Sequence, residues 1–286
     1  MTIKSILVPL SVAHLAETTL KAAIVVAEPH QAHIEVLHVR PNPRIISAIY
    51  TESASVPNVE EMIRNAEEKA AENTRNARAV FDKIYKSKTL RYSATKPRVN
   101  GVTISWHEEV GYEDQWIQRY GRVTDLIVVS HPAVAGASAS LSLETALAES
   151  GRPVLVIPRL LPVKIGSNIA IAWNGSVEAA RAVGEARPFL AAARKVTILT
   201  AAEPDRGQCD MEPLRRLLGW HGASAKTKKV TSQGNIGKAL ASAAEECGAN
   251  LFVMGAYSHS RVRQLIFGGV TRHMLESATL PILMMH

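Results

Sequence analysis

The sequence predicts an α/β protein with two tandem five-stranded, mostly parallel sheets flanked by helices. Short branched-aliphatic runs alternate along the chain with stretches of helical length and helical apolar spacing. The order of these elements restarts near the middle of the 286 residues. Aromatic residues make up only 5% of the chain, so Ala, Val, Ile and Leu must fill the core. That composition favours helices packed on a sheet over an all-β sandwich.

A first domain is predicted over residues 1–160. Its apolar runs predict strands at 5–10, 33–39, 102–108, 125–130 and 152–158. The intervening segments predict helices at 16–30, 60–86, 113–124 and 142–150. Residues near 158–166 are the expected connection to the second unit.

A second domain is predicted over residues 167–286. The strands are expected at 168–173, 195–201, 224–231, 251–256 and 281–285, and the helices at 177–193, 211–222, 235–248 and 271–279. The halves also echo each other in sequence, since Asp125-Leu-Ile-Val-Val-Ser matches Asn250-Leu-Phe-Val-Met-Gly in character. Strands that alternate with helices form parallel β-α-β units with right-handed crossovers.

The charge balance does not predict a nucleic-acid partner. The chain has 33 Lys and Arg against 26 Asp and Glu, a net charge of +7 that is expected to serve solubility. The densest basic run, Lys226–Lys229, has no interleaved aromatic residue and enters an apparent strand. It predicts a solvated edge strand.

Cysteine use and the N-terminus predict a cytoplasmic protein. Cys209 and Cys247 show neither the spacing of a zinc site nor that of a disulfide framework. Pro9 and His14 interrupt the first apolar run, which is too short for a signal peptide or a membrane span. His30, His33 and His38 form no pattern of metal ligands, so neither a metal nor a membrane partner is expected.

The candidate ligand site lies in the second half, at the carboxyl ends of its first and fourth strands. Trp173-Asn-Gly-Ser176 follows the first strand. The loop after the fourth strand carries Ser258, His259 and Arg261 before Gly268-Gly269 opens a helix. Glycines at a helix start let the backbone approach an anion. A second explanation stays open, in which the glycines allow close helix–sheet packing and the polar residues lie on a solvated loop.

These motifs resemble those of the universal stress protein family in its tandem form. The family signature G-x2-G-x9-G-(S/T) is matched at Gly255 and Gly268, while Ser258 replaces the second Gly and Gly269 the final Ser or Thr. Similarly, Ile171–Ser176 resembles the first-strand turn V-x-V-D-G-S with Asn174 in place of Asp.

The resemblance implies a universal-stress-protein-like fold of the adenine nucleotide alpha hydrolase-like group and a bound adenine nucleotide, ATP or a relative. It implies that Asn174 and the backbone near Ala201 lie by the adenosine, and the glycine-rich segment by ribose and phosphates. The full predicted set is Trp173, Asn174, Gly175, Ser176, Ala201, Met254, Gly255, Ser258, His259, Arg261, Gly268, Gly269, Val270 and Thr271.

The first half lacks most of these features. Ser11-Val-Ala13 stands where the Asp-Gly-Ser turn belongs, and Gly136 is alone in the later loop. Ser138, Ser140 and Ser142 offer hydroxyls to an anion, although loop flexibility explains them as well. This half is therefore predicted to be structural.

The leading hypothesis is a nucleotide-responsive stress-response module, working as a homodimer or an intramolecular pseudo-dimer. Two alternatives remain: an interaction protein with a decayed site that dimerises through its second-half sheet edge and terminal strand 281–285, and a slow ATPase. No Walker, GxSxG or HExxH motif occurs, and no catalytic residue set is predicted.

Overall fold

The computed structural model describes residues 2–10, 13–42, 56–87, 90–94, 100–132, 137–160, 164–201, 209–232, 234–256 and 269–286. In the first half the strands are β1 (Ser5–Pro9), β2 (His33–Arg40), β3 (Arg91–Tyr92), β4 (Thr103–Val110), β5 (Leu126–Ser130) and β6 (Val154–Ile157). The helices are α1 (Ala13–Ala27), α2 (Val56–Ser87), α3 (Glu113–Gly121) and α4 (Ala137–Glu149), with a 3₁₀ turn at Glu28–His30. The two-residue β3 was not predicted, because no apolar run marks it.

The second half repeats this alternation. Its strands are β7 (Asn168–Ala172), β8 (Lys195–Ala201), β9 (Ala225–Val230), β10 (Leu251–Gly255) and β11 (Ile282–Met285). Its helices are α5 (Val177–Glu185), α6 (Arg187–Leu190), α7 (Glu212–Trp220), α8 (Ile236–Glu246) and α9 (Gly269–Ser277). The helix predicted over 177–193 is divided because Pro188 has no N–H for the Gly184 carbonyl. The Arg187 guanidinium donates to that carbonyl instead, over 2.8 Å.

All the described strands belong to one sheet, in the order β3-β4-β2-β1-β5-β6-β11-β10-β7-β8-β9. Neighbouring strands within each half are parallel, and the antiparallel pair β6–β11 joins the halves. The predicted α/β class with a mostly parallel sheet is therefore confirmed. The strand count differs from two sets of five, because β3 adds a strand and the central pairing makes one sheet of eleven.

The central pairing is symmetric. Leu155 of β6 pairs with Leu283 of β11, and each has an equivalent parallel partner, Val128 in β5 and Val253 in β10. The residue pairs on either side of Leu155–Leu283 also become equivalent to each other when the two strands are interchanged. A pseudo-two-fold axis therefore passes between Leu155 and Leu283, as it would between the protomers of a symmetric dimer.

Helices cover both faces of the sheet. Buried residues of α1, α2, α5, α6 and α7 pack on one side, which we call the α1/α5 face. Buried residues of α3, α4, α8 and α9 pack on the other, the α3/α9 face. None of the helices in the described ranges is both long enough and apolar enough to cross a membrane.

Strand β9 lies at one end of the sheet, as its lysines predicted. Lys226 and Lys229 are exposed, and Lys228 forms an ion pair with Glu246 of α8 at 2.5 Å. Charged side chains on an outer strand hinder pairing with another chain. The prediction of a solvated edge strand is confirmed.

The sequence echo between the halves has a structural counterpart at the start of β5 and β10. Asp125 Oδ2 accepts the backbone N–H of Lys4 over 2.7 Å. Asn250 Oδ1 accepts the backbone N–H of Asn168 over 2.9 Å. In each half a side-chain oxygen of the fourth-strand motif thus fixes the start of the first strand.

Candidate functional site

The turn between β7 and α5 is organised by its own polar side chains. The backbone N–H of Trp173 donates to Leu199 O over 2.8 Å, and this bond extends the parallel ladder past the end of β7. Asn174 Oδ1 accepts the Ser176 N–H over 3.1 Å. The Ser176 hydroxyl accepts the Ala179 N–H over 3.2 Å as the N-cap of α5. The predicted turn residues therefore hold the start of α5 at the carboxyl edge of the sheet.

Gly175 allows this turn to form against Cys209. Its φ of +74° lies in the left-handed region that favours glycine. A Cβ at this position would lie 3.0 Å from Cys209 Sγ. Conformation and contact thus both favour glycine, and the segment before α7 lies directly against the turn.

The Cys209 thiol is not activated. Burial raises its pKa, and the neighbouring Asp210 carboxylate raises it further, while the Trp173 indole N–H opposes both effects. The thiol is therefore protonated at neutral pH, which argues against a nucleophilic role.

Gly255 is required by the packing of α5. A Cβ at this position would lie 2.6 Å from Ala179 N and 2.7 Å from the carbonyl carbon of Glu178. These are backbone atoms of the first turn of α5, which cannot move aside as a side-chain end can. The need for close helix–sheet packing therefore accounts for the glycine at position 255. This packing brings β10 against the turn that follows β7.

Gly269, at the start of α9, has no such packing reason among the described residues. It is exposed, and beyond its chain neighbours none of their heavy atoms lies within 4 Å of the position of an added Cβ. No acidic residue lies in the first turn of α9. Val270 is half-buried and Thr271 is buried. The described residues therefore leave the N-terminus of α9 uncovered, and the N–H groups and dipole of a helix N-terminus favour negative charge.

Two buried hydroxyls near this edge have no hydrogen-bond partner among the described residues. They are Thr200 Oγ1 and Ser232 Oγ, at the carboxyl ends of the adjacent strands β8 and β9. The indole N–H of Trp173, at the end of β7, faces only the Cys209 thiol, which is a weak acceptor. Thr200 stands beside Trp173 in register, because the preceding residues Ala172 and Leu199 are paired. An unpaired buried polar group costs about 1–3 kcal/mol. A ligand or ordered water at this edge would supply the missing partners.

The remaining predicted residues fall into two groups. Ala201 is the last residue of β8 and is half-buried, whereas the Met254 side chain lies in the core of the α3/α9 face. Met254 therefore has only its backbone to offer at the edge. Four predicted residues lie outside the described part of the chain: Ser258, His259, Arg261 and Gly268.

The equivalent edge of the first half is filled by protein. His38 stands where Thr200 stands in the second half, and it is 4% exposed. Its Nδ1 donates to Leu10 O over 2.9 Å, and its Nε2 lies 2.9 Å from Thr74 Oγ1 of α2. The His38 ring also stacks on Trp106 with centroids 5.7 Å apart.

In the first half, the hydroxyls that were proposed to bind an anion donate hydrogen bonds to carboxylates instead. Ser140 donates to Glu144 Oε1 over 2.9 Å, and Ser142 donates to Glu113 Oε1 over 2.6 Å. Carboxylates at this helix start would repel an anion. The described contacts favour the predicted structural role; Gly136 and the Ser138 side chain lie outside them.

The histidines that were considered as metal ligands and rejected form other contacts. His33 bonds with the hydroxyls of Thr103 and Ser105, at 2.8 and 3.1 Å, within the sheet. Within the described ranges, no group of three or more His, Cys, Asp or Glu side chains is arranged to hold a metal ion.

Sequence reasoning missed Thr200 and Ser232. Ala201 was selected at the end of β8, but its neighbour Thr200 carries the unpaired hydroxyl. Alternation along β8 places Thr200 on the same face as Ile198, the α1/α5 face against which Trp173 packs. That alternation was the signal available in the sequence.

The universal stress protein family model matches residues 210–286. This segment contains β9 to β11 and α7 to α9, and it includes Gly255 and Gly269 of the candidate site. The resemblance drawn from the motifs is confirmed for this segment, which is similar to the universal stress protein family.

Solved structures resemble the chain over both halves. A universal stress protein from Archaeoglobus fulgidus DSM 4304 matches with a TM-score of 0.64 and 16% identity, over 99% of this chain and 96% of that one. A functionally unknown protein from Pseudomonas aeruginosa PAO1 matches with a TM-score of 0.59 and 15% identity, over 99% and 92% of the two chains. At such identities the likeness shows the fold. No curated protein sequence matches the chain.

Proposed function

We propose that the second half binds an adenine nucleotide, with ATP as the expected form, and serves as a nucleotide-responsive module in a stress response. The observation that carries the proposal is the open N-terminus of α9. Among the described residues, none covers the helix start at Gly269 or requires a glycine there by packing, and no acidic residue lies in the first turn of α9. An accessible helix N-terminus of this kind suits a phosphate group.

The neighbouring elements support a nucleotide rather than phosphate alone. The Trp173–Ser176 turn begins α5 at the same edge, and Gly255 brings β10 against that helix start. Two buried hydroxyls without a partner among the described residues lie at the ends of β8 and β9, on the far side of β7 from β10 and β11, the strands that α9 connects. In the proposed arrangement the phosphates lie at Gly269, and the nucleoside extends toward Asn174 and Ala201. Ser258, His259, Arg261 and Gly268 belong to the proposal as phosphate-loop residues.

The proposed role of the first half is to brace the second as an intramolecular pseudo-dimer. In the alternative of dimerisation through the second-half sheet edge and 281–285, the terminal strand is not available, because β11 is already paired on both sides, with β10 and β6. The lysines of the edge strand β9 argue against pairing there. A slow ATPase differs from the proposal only in turnover, and phosphate release from ATP distinguishes the two.

Isothermal titration of the full chain with ATP, ADP, AMP and adenosine tests the proposal. Gly269→Glu adds a negative charge where the phosphates are proposed, while an acidic first turn suits the helix itself. We expect this variant to bind ATP at least about tenfold more weakly, equivalent to about 1.4 kcal/mol, and adenosine unchanged. Gly269→Ala is the matched control, since its Cβ meets open space.

Absence of binding by ATP, ADP and AMP at millimolar concentration overturns the proposal. Equal weakening of ATP and adenosine by Gly269→Glu would place the phosphates elsewhere.

A further inference from the structure

We infer that Thr200 and Trp173 are specificity-determining residues, whose side chains hydrogen-bond the non-phosphate end of the ligand. The inference rests on the proposed nucleotide site. It adds to that site the Thr200 hydroxyl, which the motifs do not include, and gives the Trp173 indole N–H a role. It starts from Thr200 Oγ1, which has no hydrogen-bond partner among the described residues although Thr200 is 2% exposed.

The two groups stand side by side. Ala172 pairs with Leu199, and the Trp173 N–H donates to Leu199 O over 2.8 Å, so Trp173 and Thr200 follow as neighbours on adjacent strands. Adjacent strands are about 4.8 Å apart. Both residues lie on the α1/α5 face of the sheet. The two side chains therefore start from neighbouring backbone positions on the same face of the sheet.

Their chemistry limits what can bind. The indole N–H only donates, whereas a hydroxyl both donates and accepts. A matching ligand must offer an acceptor to Trp173 and either kind of group to Thr200. A nitrogen heterocycle such as a nucleobase meets these requirements, and a saturated hydrocarbon chain does not. The nearby Cys209 thiol is protonated and adds no charge that would call for a cation.

The first half shows what the same position looks like when the protein satisfies it. His38, the equivalent of Thr200, is bonded to Leu10 O and contacts Thr74 Oγ1 of α2. In the second half the described residues supply no such partners to Thr200. The unpaired hydroxyl is therefore a local departure from the repeat, at the edge where the ligand is proposed.

The test uses Thr200→Val and Trp173→Phe in the full chain. Without ligand, Thr200→Val should raise the melting temperature, because it removes a buried hydroxyl that has no partner. With ATP, each variant should bind about three- to tenfold more weakly than wild type, the loss expected for one neutral hydrogen bond.

Matched controls come from the first half, where the same groups are bonded. The Thr19 hydroxyl lies 2.7 Å from Ser130 Oγ and 3.0 Å from Leu15 O, and Trp116 Nε1 donates to Val110 O over 3.1 Å. Thr19→Val and Trp116→Phe should lower the melting temperature and leave ATP affinity unchanged.

The outcomes separate the two proposals. If wild type binds ATP and both Thr200→Val and Trp173→Phe bind it equally well, the inference is overturned and the proposed function stands. If wild type binds no nucleotide, both fall. If Thr200→Val lowers the melting temperature as Thr19→Val does, its hydroxyl has a protein or water partner, and the inference is again overturned.

Discussion

The carboxyl ends of the two half-sheets have equivalent strands but different coverings. In the first half, the long helix α2 places Thr74 beside His38 at the end of β2. In the second half, the corresponding helix α7 packs on β9, and among the described residues the Thr200 hydroxyl has no bonding partner.

The difference follows from the crossover helices rather than from the sheet. Helix α2 has 32 residues and α7 has 9, which correspond to about 48 and 14 Å of length. The longer helix extends past the strand ends and supplies partners there. One repeat unit can therefore be closed or open at its ligand edge, depending on the length of one helix. Exchanging residues between equivalent positions tests this comparison.

The largest effect is expected for Gly255→Ser, which gives the second half the residue of the first, Ser130. The added Cβ would lie 2.6 Å from Ala179 N, so α5 must shift. We expect a loss of about 3 kcal/mol in the free energy of unfolding, the upper part of the range for overpacking. Urea denaturation measures it. The reverse exchange, Ser130→Gly, should cost only about 1 kcal/mol for the 2.7 Å bond to Thr19. Equal urea midpoints for Gly255→Ser and wild type would contradict the packing role.

An intermediate effect is expected for His38→Thr, which gives the first half the residue of the second. The change removes the bond to Leu10 O, the contact with Thr74 and the stacking on Trp106. We expect about 2 kcal/mol of lost stability by urea denaturation. ATP affinity measured on the same variant should not change. A variant as stable as wild type would show that the closed edge does not depend on His38.

The smallest effect concerns His131, whose equivalent in the second half is Ala256. His131 is 3% exposed, and its Nε2 donates to Met274 O of α9 over 3.1 Å, so it links the halves. Burial lowers the pKa of His131 below its usual value of 6.5, although the Met274 carbonyl opposes the shift. The unfolded chain therefore takes up this proton at higher pH than the folded chain. The contribution of the neutral His131 side chain to the free energy of unfolding is therefore complete above about pH 6.5, and it falls as the pH decreases below that value.

His131→Gln keeps an N–H donor and cannot titrate. We expect near wild-type stability at pH 7 and a smaller loss between pH 7 and pH 5, measured by urea denaturation. His30 provides the control, because burial also lowers the pKa of this histidine, which lies in the 3₁₀ turn after α1. The variant His30→Gln measures how much of the pH dependence of stability comes from that histidine. Identical losses for His131→Gln and wild type would contradict the assignment.

The fold was predictable where one segment carries its own pattern. Buried strands such as β5 and β10 are continuous apolar runs, and Pro188 marks the break that the helix prediction overlooked. The β6–β11 pairing was not predictable, because both strands are fully apolar and neither pattern specifies an antiparallel partner more than 120 residues away in sequence. Such pairing depends on how the halves meet.

The site was predictable in its turn and its glycines but not in its polar atoms. Asn174, Gly175 and Ser176 perform local turn chemistry that a motif can record. A threonine in a strand is ordinary in sequence, and Thr200 differs because no described residue bonds to its buried hydroxyl. That information lies in the tertiary structure.

The central β6–β11 pairing also fixes the ratio of closed to open sheet edges in each molecule. Because both strands belong to one chain, their association is unimolecular, and dilution does not separate them as it would separate the subunits of a dimer. Each molecule then combines one closed edge with one open edge in a constant ratio. Ligand titration should accordingly follow a single-site isotherm, and the unfolding midpoint of this pairing should not depend on protein concentration.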